Sequence, residues 1–473
     1  MKQLNLPQIF ISLHLILPAI LAFITLINLS SNLIIPYLAL TIVITSQLVF
    51  SSHSILGEQK SIFLYLFGLL VSLGCWFKYS IYSIFPQMNF PEPIGSFQLG
   101  SSQESTVLWV STIGITGILS AQLLYDFYIK KHKFHYQTES IQINNQIKPG
   151  IIILLITIGV ALINLKYNIL LFALKPDIQL PFKGNVFFFL FMTRGLPFLF
   201  LFFCLRKFNL VYIALGSIVF SIFSIGVLSR MGIFVYFFTI FFLVICELPN
   251  WNVKKILKNI GALAVIFSIS TYLCVSLSTG AREFFFNKNK KNESIQKVTD
   301  ISMNEILVQS NKSDNLTILK KLALGRWIGV EGVMAVNSYP NKGYDLLFNA
   351  LLEKSYKGNS FYSSISSKDP ESINTSNVIV TSVPGPIAFF YYSNSYILIF
   401  FALLISSLFY VFTERFLASI FPMQFSSITF ITIALTMDFY QFGISPIAFT
   451  KYLFFTLFSV IIFRLLIKLK SHL

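Results

Sequence analysis

Apolar runs of about twenty residues, joined by short polar connections, fill most of this chain. A hydrocarbon core about 30 Å thick needs roughly 20 apolar residues per helix. By that measure the sequence predicts about twelve membrane-spanning helices, at 8–28, 33–52, 61–80, 105–128, 149–167, 184–204, 209–228, 231–248, 259–278, 386–411, 416–437 and 447–467. One long polar interruption, 280–385, divides them into a nine-helix bundle (1–279) and three C-terminal helices (386–473). There is no internal repeat and no low-complexity segment.

Within the interruption, 286–316 is polar and its early part is expected to be mobile. From Leu316 the pattern becomes helical, LTILKKLALGRWIGVEGVMAV, with Trp327, Val330 and Met334 on one apolar face and Arg326, Gly329 and Val333 on another. Pro340 ends the helix and Asn341-Lys342-Gly343 makes a turn. Two glycines in such a helix, Gly329 and Gly332, cost about 1 kcal/mol each relative to alanine and point to close approach by backbone or ligand. The expectation is an amphipathic helix lying against the outer membrane face or the mouth of the bundle.

Composition agrees with the pattern. The chain is 55% hydrophobic and 11% charged, with a mean hydropathy of +0.73, so the class is an all-α polytopic integral membrane protein. The net charge of +16 is read as cytoplasmic anchoring, not nucleic-acid binding. With the N-terminus cytoplasmic, Lys60, Lys130, Lys131, Lys133, Arg206, Lys207, Lys254, Lys255, Lys258, Arg415, Lys468 and Lys470 all fall inside. Both termini are then cytoplasmic and 280–385 is one external loop. A further span at 322–340 would reverse every later segment and bury Arg326 and Glu331, at roughly 2.5–3.5 kcal/mol each. The N-terminal apolar run is too long for a signal-peptide core and reads as a retained first helix. Cys75, Cys204, Cys246 and Cys274 all lie in apolar runs, which excludes a disulfide-stapled external domain. The sequence has no zinc spacing, acidic DxD pair, Ser-His-Asp arrangement, P-loop or dinucleotide fingerprint, so no metal and no cofactor is expected.

Four arginines stand where positive charge is costly. Arg194 interrupts FFFLFMTRGLPFLFLFF, Arg230 ends the seventh span, Arg282 follows the ninth, and Arg326 sits on the loop helix. Guanidinium groups bind phosphate oxygens bidentately and stay charged, so arginines gathered on one side suit a pyrophosphate. Each has a plainer alternative: an interface anchor for Arg230 and Arg282, an ion pair for Arg194, and a solvated helix face for Arg326. The acidic candidates are Glu283, Glu331, Asp345, Glu353 and Asp438.

This layout, with SR at 229–230, GRWIGVEGVMAVNSYPNKGYD at 325–345 and VPGPIAFFYY at 383–392, resembles the Wzy-type O-antigen polymerases of the polymerase–ligase superfamily. The loop has no histidine, which favours polymerase over ligase, and neither Arg282 nor Arg326 has a glycine eleven positions on, as RX10G motifs would require. The resemblance implies polymerisation of undecaprenyl-pyrophosphate-linked oligosaccharide units at the periplasmic face of the bacterial inner membrane. Its partners would be the lipid-linked substrate and the chain-length regulator and flippase of the same pathway. It assigns Arg230 and Arg326 to the leaving pyrophosphate, with Arg194 or Arg282 assisting. Glu331 would be the base for the acceptor hydroxyl, a solvated glutamate being the alternative. Lys342, Tyr339, Tyr391 and Tyr392 would contact substrate, the tyrosines otherwise being core or interface residues. The competing readings are an O-antigen ligase or other lipid-linked glycan transferase, and a flippase-like transporter.

Overall fold

The computed structural model describes residues 6–56, 61–86, 90, 92–131, 147–171, 176–205, 208–229, 231–247, 251, 253–293, 327–353, 360–366, 383–420, 425–443 and 446–470. Most of these residues are helical, with no strand among them. The helices are α1 (Leu6–Asn28), α2 (Ser31–Leu56), α3 (Ile62–Ile84), α4 (Gln103–Lys131), α5 (Ile147–Tyr167), α6 (Gly184–Cys204), α7 (Leu210–Gly226), α8 (Met231–Glu247) and α9 (Val253–Glu293). After the polar segment come α10 (Val330–Ser338), α11 (Tyr344–Leu351), α12 (Phe361–Ser366), α13 (Gly385–Phe390), α14 (Tyr396–Ile420), α15 (Phe425–Tyr440) and α16 (Pro446–Lys470).

Among the described residues, nine helices are long and apolar enough to cross a membrane. Three shorter apolar helices are α7 and α8, which coincide with the seventh and eighth expected spans, and α15, which overlaps the eleventh only from Phe425 on, because 416–420 belong to α14. The chain is therefore a multi-pass α-helical membrane protein. At 16 or 17 residues, these three are about 25 Å long, less than a hydrocarbon core.

Burial sorts the helices. α3 is apolar on every face and 83% of its central window is buried, whereas α9 and α16 bury only 11% of theirs. A helix hydrophobic all round belongs inside, and one with a single packed stripe belongs at the lipid boundary. α15, lined by Ile428, Phe430, Ile433 and Phe439, joins α3 on one side to α6 and α8 on the other. α2 and α14 pack on α4, and α5 and α9 pack on α7.

The polar segment differs most from expectation. α9 continues unbroken to Glu293, so the start of the expected mobile stretch is helix. Of the helix expected from Leu316, residues 316–326 lie outside the described residues, as does all of 294–326; Trp327–Gly329 are not helical, and α10 starts at Val330. Pro340 and Asn341 do form the turn. Nor is α10 an amphipathic helix on an outer surface: Val330 through Val336 are all buried. It packs against α4, α13 and the middle of α3. The tenth expected span, 386–411, is two pieces, because Asn394 adopts a left-handed conformation (φ 56°) between the short α13 and the long α14.

Candidate active site

The site is built where the loop re-enters the bundle. Roughly midway along α3, Ser72–Phe77 form a π-turn, and the Lys78 amide donates to the Leu73 carbonyl five residues back. The wide turn presents Gly74 to the lead-in of α10. A Cβ on Gly74 would stand 1.9 Å from the Ile328 carbonyl oxygen, and one on Gly329 would stand 2.6 Å from the Gly74 carbonyl carbon. Two backbones thus touch with no side chain between them. Gly332 meets the Pro384 carbonyl in the same way, at 2.2 Å. The close-approach reading of Gly329 and Gly332 holds, and the close neighbour at both is backbone.

Three polar contacts fix the lead-in. Lys78 Nζ donates to the Trp327 carbonyl at 2.7 Å. Tyr440, the last residue of α15, donates its hydroxyl to the Ile328 carbonyl at 2.6 Å. Lys78 Nζ also stands 2.5 Å from Glu331 Oε1, the two side chains being 0% and 2% exposed. Non-helical backbone leaves its carbonyls without helical partners, so these donors supply bonds that a buried chain would otherwise lose.

Glu331 lies in the first turn of α10, where the helix dipole favours negative charge. Burial nevertheless dominates and pushes its carboxyl up to about 7, against the opposing pull of Lys78; Glu92 adds a smaller upward push. A carboxylate that exchanges its proton near neutral pH is suited to general-base work. Glu331 is not the solvated surface residue that a helix-face reading would make it. Among the described residues, no group of three His, Cys, Asp or Glu side chains comes together as a metal site would require.

The remaining candidates divide. Arg194 lies on a second π-turn, Phe191–Gly195 in α6. Its guanidinium binds the Asp438 carboxylate and the Thr456 hydroxyl. The geometry is that of an ion pair within the bundle, so an incoming anion would have to displace Asp438. Lys342 crosses back to the C-terminal end of α10, donating to the Asn337 carbonyl at 2.5 Å with Nζ over the Tyr391 ring. Burial lowers its affinity for a proton. Tyr391 donates to Asn337 Oδ1 at 2.8 Å. Tyr392 is sealed in the core against Phe389, and its carbonyl accepts from the Gly343 amide. Tyr339 is half-buried and packs on the same core. Tyr392 is thus a core residue here, not a platform open to sugar. Arg230 and Arg326 lie outside the described residues, as does the side chain of Arg282 on α9.

The two ion pairs do not touch. They flank the C-terminal end of α15, where Asp438 faces Arg194 and Tyr440 faces the loop lead-in. Lys78 was missed in the sequence because it falls near the end of an expected span. The signal was present all the same: a lysine in SLGCWFKYSIY is as anomalous as Arg194 in its own run. No family model, no curated protein and no solved structure matches this chain.

Proposed function

We propose that the protein is a membrane glycosyltransferase that polymerises lipid-pyrophosphate-linked oligosaccharide units. It would work at the periplasmic face of the bacterial inner membrane, with twelve spans and both termini cytoplasmic. The observation that carries the reading is the return of the long loop into the bundle, which buries a carboxylate of that loop against a membrane-helix lysine. A loop that builds bundle interior fits an enzyme acting on a lipid-borne substrate. A flippase-like transporter needs no such element.

In the proposed reaction the acceptor hydroxyl oxygen attacks the anomeric carbon of the growing chain. The bond from that carbon to the pyrophosphate oxygen breaks, and its electron pair leaves with the lipid pyrophosphate. Glu331 takes the hydroxyl proton, and Arg230 and Arg326 offset the charge on the leaving group. Arg326 directly precedes Trp327, whose carbonyl Lys78 holds, so the arginine is tethered to the docked segment. Preorganised charge of this sort contributes about 10²–10³ in rate per group, and a positioned base about 10²–10⁴.

The test is a deletion strain complemented with wild type, Arg230→Ala, Arg326→Ala or Glu331→Gln at matched protein levels. Loss of the protein should leave surface glycan capped with single repeat units, and the wild type should restore long chains where the variants do not. Units trapped inside the cell would identify a flippase, and loaded carrier with nothing attached would identify a ligase. Normal chain length in all three variants would refute the assigned site.

A further inference from the structure

We propose that Lys78 is the positioning residue of this site, holding both the docked loop segment and the base it carries. The inference rests on the polymerase reading for its activity arm alone.

Four observations carry it. One ammonium makes two contacts to the same segment, the Trp327 carbonyl at 2.7 Å and Glu331 at 2.5 Å. It therefore ties the non-helical lead-in to the first turn of α10. Second, the lysine is wholly buried, so it cannot serve as a snorkelling anchor at the lipid boundary. Third, Lys78 is the first residue after the π-turn, and π-turns mostly occur as single-turn bulges at functional sites. Here the turn aims Gly74 at the segment, and the ammonium of Lys78 reaches the same segment. Fourth, the titratable groups in electrostatic contact with Glu331 are Lys78, Glu92, Cys75, Tyr82, Tyr362 and Tyr440. Among the described residues, Lys78 is the one cation in that set.

Two consequences follow from that arrangement. Without Lys78 the Trp327 carbonyl loses its donor, which loosens the segment. Glu331 would also hold its proton to higher pH, because the largest pull opposing desolvation would be gone. A lysine serving bundle stability alone would give the first effect and not the second.

The test uses the full-length protein in lipid vesicles and has two independent arms. The first needs no activity: maleimide labelling of Cys75, which lies under Gly329, with Cys204, Cys246 and Cys274 replaced by alanine. Lys78→Met should raise the labelling rate about tenfold or more, and Lys78→Arg should stay near wild type. The double variant Lys78→Met/Glu331→Met, which removes both charges, should fold, since apolar replacement of a buried pair is often neutral, and should label faster than wild type but slower than Lys78→Met, because the Trp327 carbonyl still lacks its donor. The second arm is chain extension against pH. The wild type should gain activity through pH of about 7, Lys78→Arg should retain activity, and Lys78→Met should have its midpoint raised by about one pH unit or more. The double variant should be folded yet inactive. Wild-type labelling and an unmoved pH midpoint in Lys78→Met would overturn the proposal, as would wild-type chain extension by the double variant. Absence of chain extension by the wild type itself would sink the polymerase reading, and the labelling arm would still decide whether Lys78 holds the segment.

Discussion

Gly74→Ala is the sharpest test of the loop's position. The added methyl would stand 1.9 Å from the Ile328 carbonyl oxygen, 2.8 Å from its carbon and 2.8 Å from the Tyr440 hydroxyl. A carbon–oxygen contact needs more than 3 Å, so the carbonyl must retreat by about 1 Å. The Ile328 atoms are backbone, so no rotamer change relieves that overlap. The retreat also stretches the Tyr440 bond, now 2.6 Å, beyond hydrogen-bonding range. Overpacking costs about 1–3 kcal/mol and the lost bond about 1 kcal/mol, so undocking becomes easier by about 2–4 kcal/mol. Cys75, buried beneath the segment, reports this directly in the single-cysteine background. Its maleimide labelling should rise by about 30- to 700-fold, since each 1.4 kcal/mol is a factor of ten. Gly329→Ala should act in the same direction, because its Cβ would meet the Gly74 carbonyl carbon at 2.6 Å. Gly159→Ala in α5 is the control: nothing lies within 4 Å of its added methyl, and alanine in a helix gains about 0.5–1 kcal/mol. Labelling of Gly74→Ala at the wild-type rate, with an unchanged melting temperature, would refute the docked arrangement.

Three further outcomes follow. Glu414 of α14 is buried and accepts the amides of Ile62 and Phe63 and the Ser61 hydroxyl, so a distant carboxylate caps α3; Glu414→Ala should lower stability by about 1–3 kcal/mol in detergent unfolding, more than Glu414→Gln. Arg194 and Asp438 are 17% and 34% exposed, so solvent or headgroup screening moderates their pairing; each single alanine variant should cost about 1 kcal/mol and the double variant less than the sum, and additive losses would show that the pair is not coupled. Docking itself should depend on pH. Glu331 holds its proton more tightly when docked, at about 7 against 4.5 in water, so the docked state carries the extra proton between those values. Cys75 protection should therefore strengthen as pH falls from about 7 towards 4.5 and weaken as pH rises through 7, while Glu331→Gln should show no such dependence. Base catalysis runs the other way, which separates the two roles of one carboxylate.

The helices were legible because a lipid-facing surface leaves long apolar runs, and α1 to α8 begin or end within a few residues of the expected limits. The interior was less so. Whether an extramembrane segment returns to the bundle depends on glycines meeting across more than 250 residues of sequence (Gly74 and Gly329), a pairing no local pattern carries. Arg194 stood out by its apolar neighbours, but its partner Asp438 did not stand out among the acids, because pairing is decided by the packing of α6 on α15. Lys78 and Glu414 were both readable as charges within apolar helices. The positive-inside rule draws attention to loops and away from such residues. Glu331 was found, and its burial was not, since two glycines beside it resemble a mobile surface segment as much as a backbone contact.

Both π-turns carry a further consequence. An i to i+5 turn holds one residue more than an α-turn, and each π-turn in this bundle sits at a basic side chain: Lys78 follows one and Arg194 lies within the other. Removing a single residue between Ser72 and Phe77 would let α3 close into regular helix, with the helical turns on either side keeping nearly the same register. Both halves of the helix would keep their packing, but the wide turn that presents Gly74 to the Ile328 carbonyl would be gone. The site is thus set by a count of residues as much as by their identity. A one-codon deletion that leaves every charge in place would dismantle it.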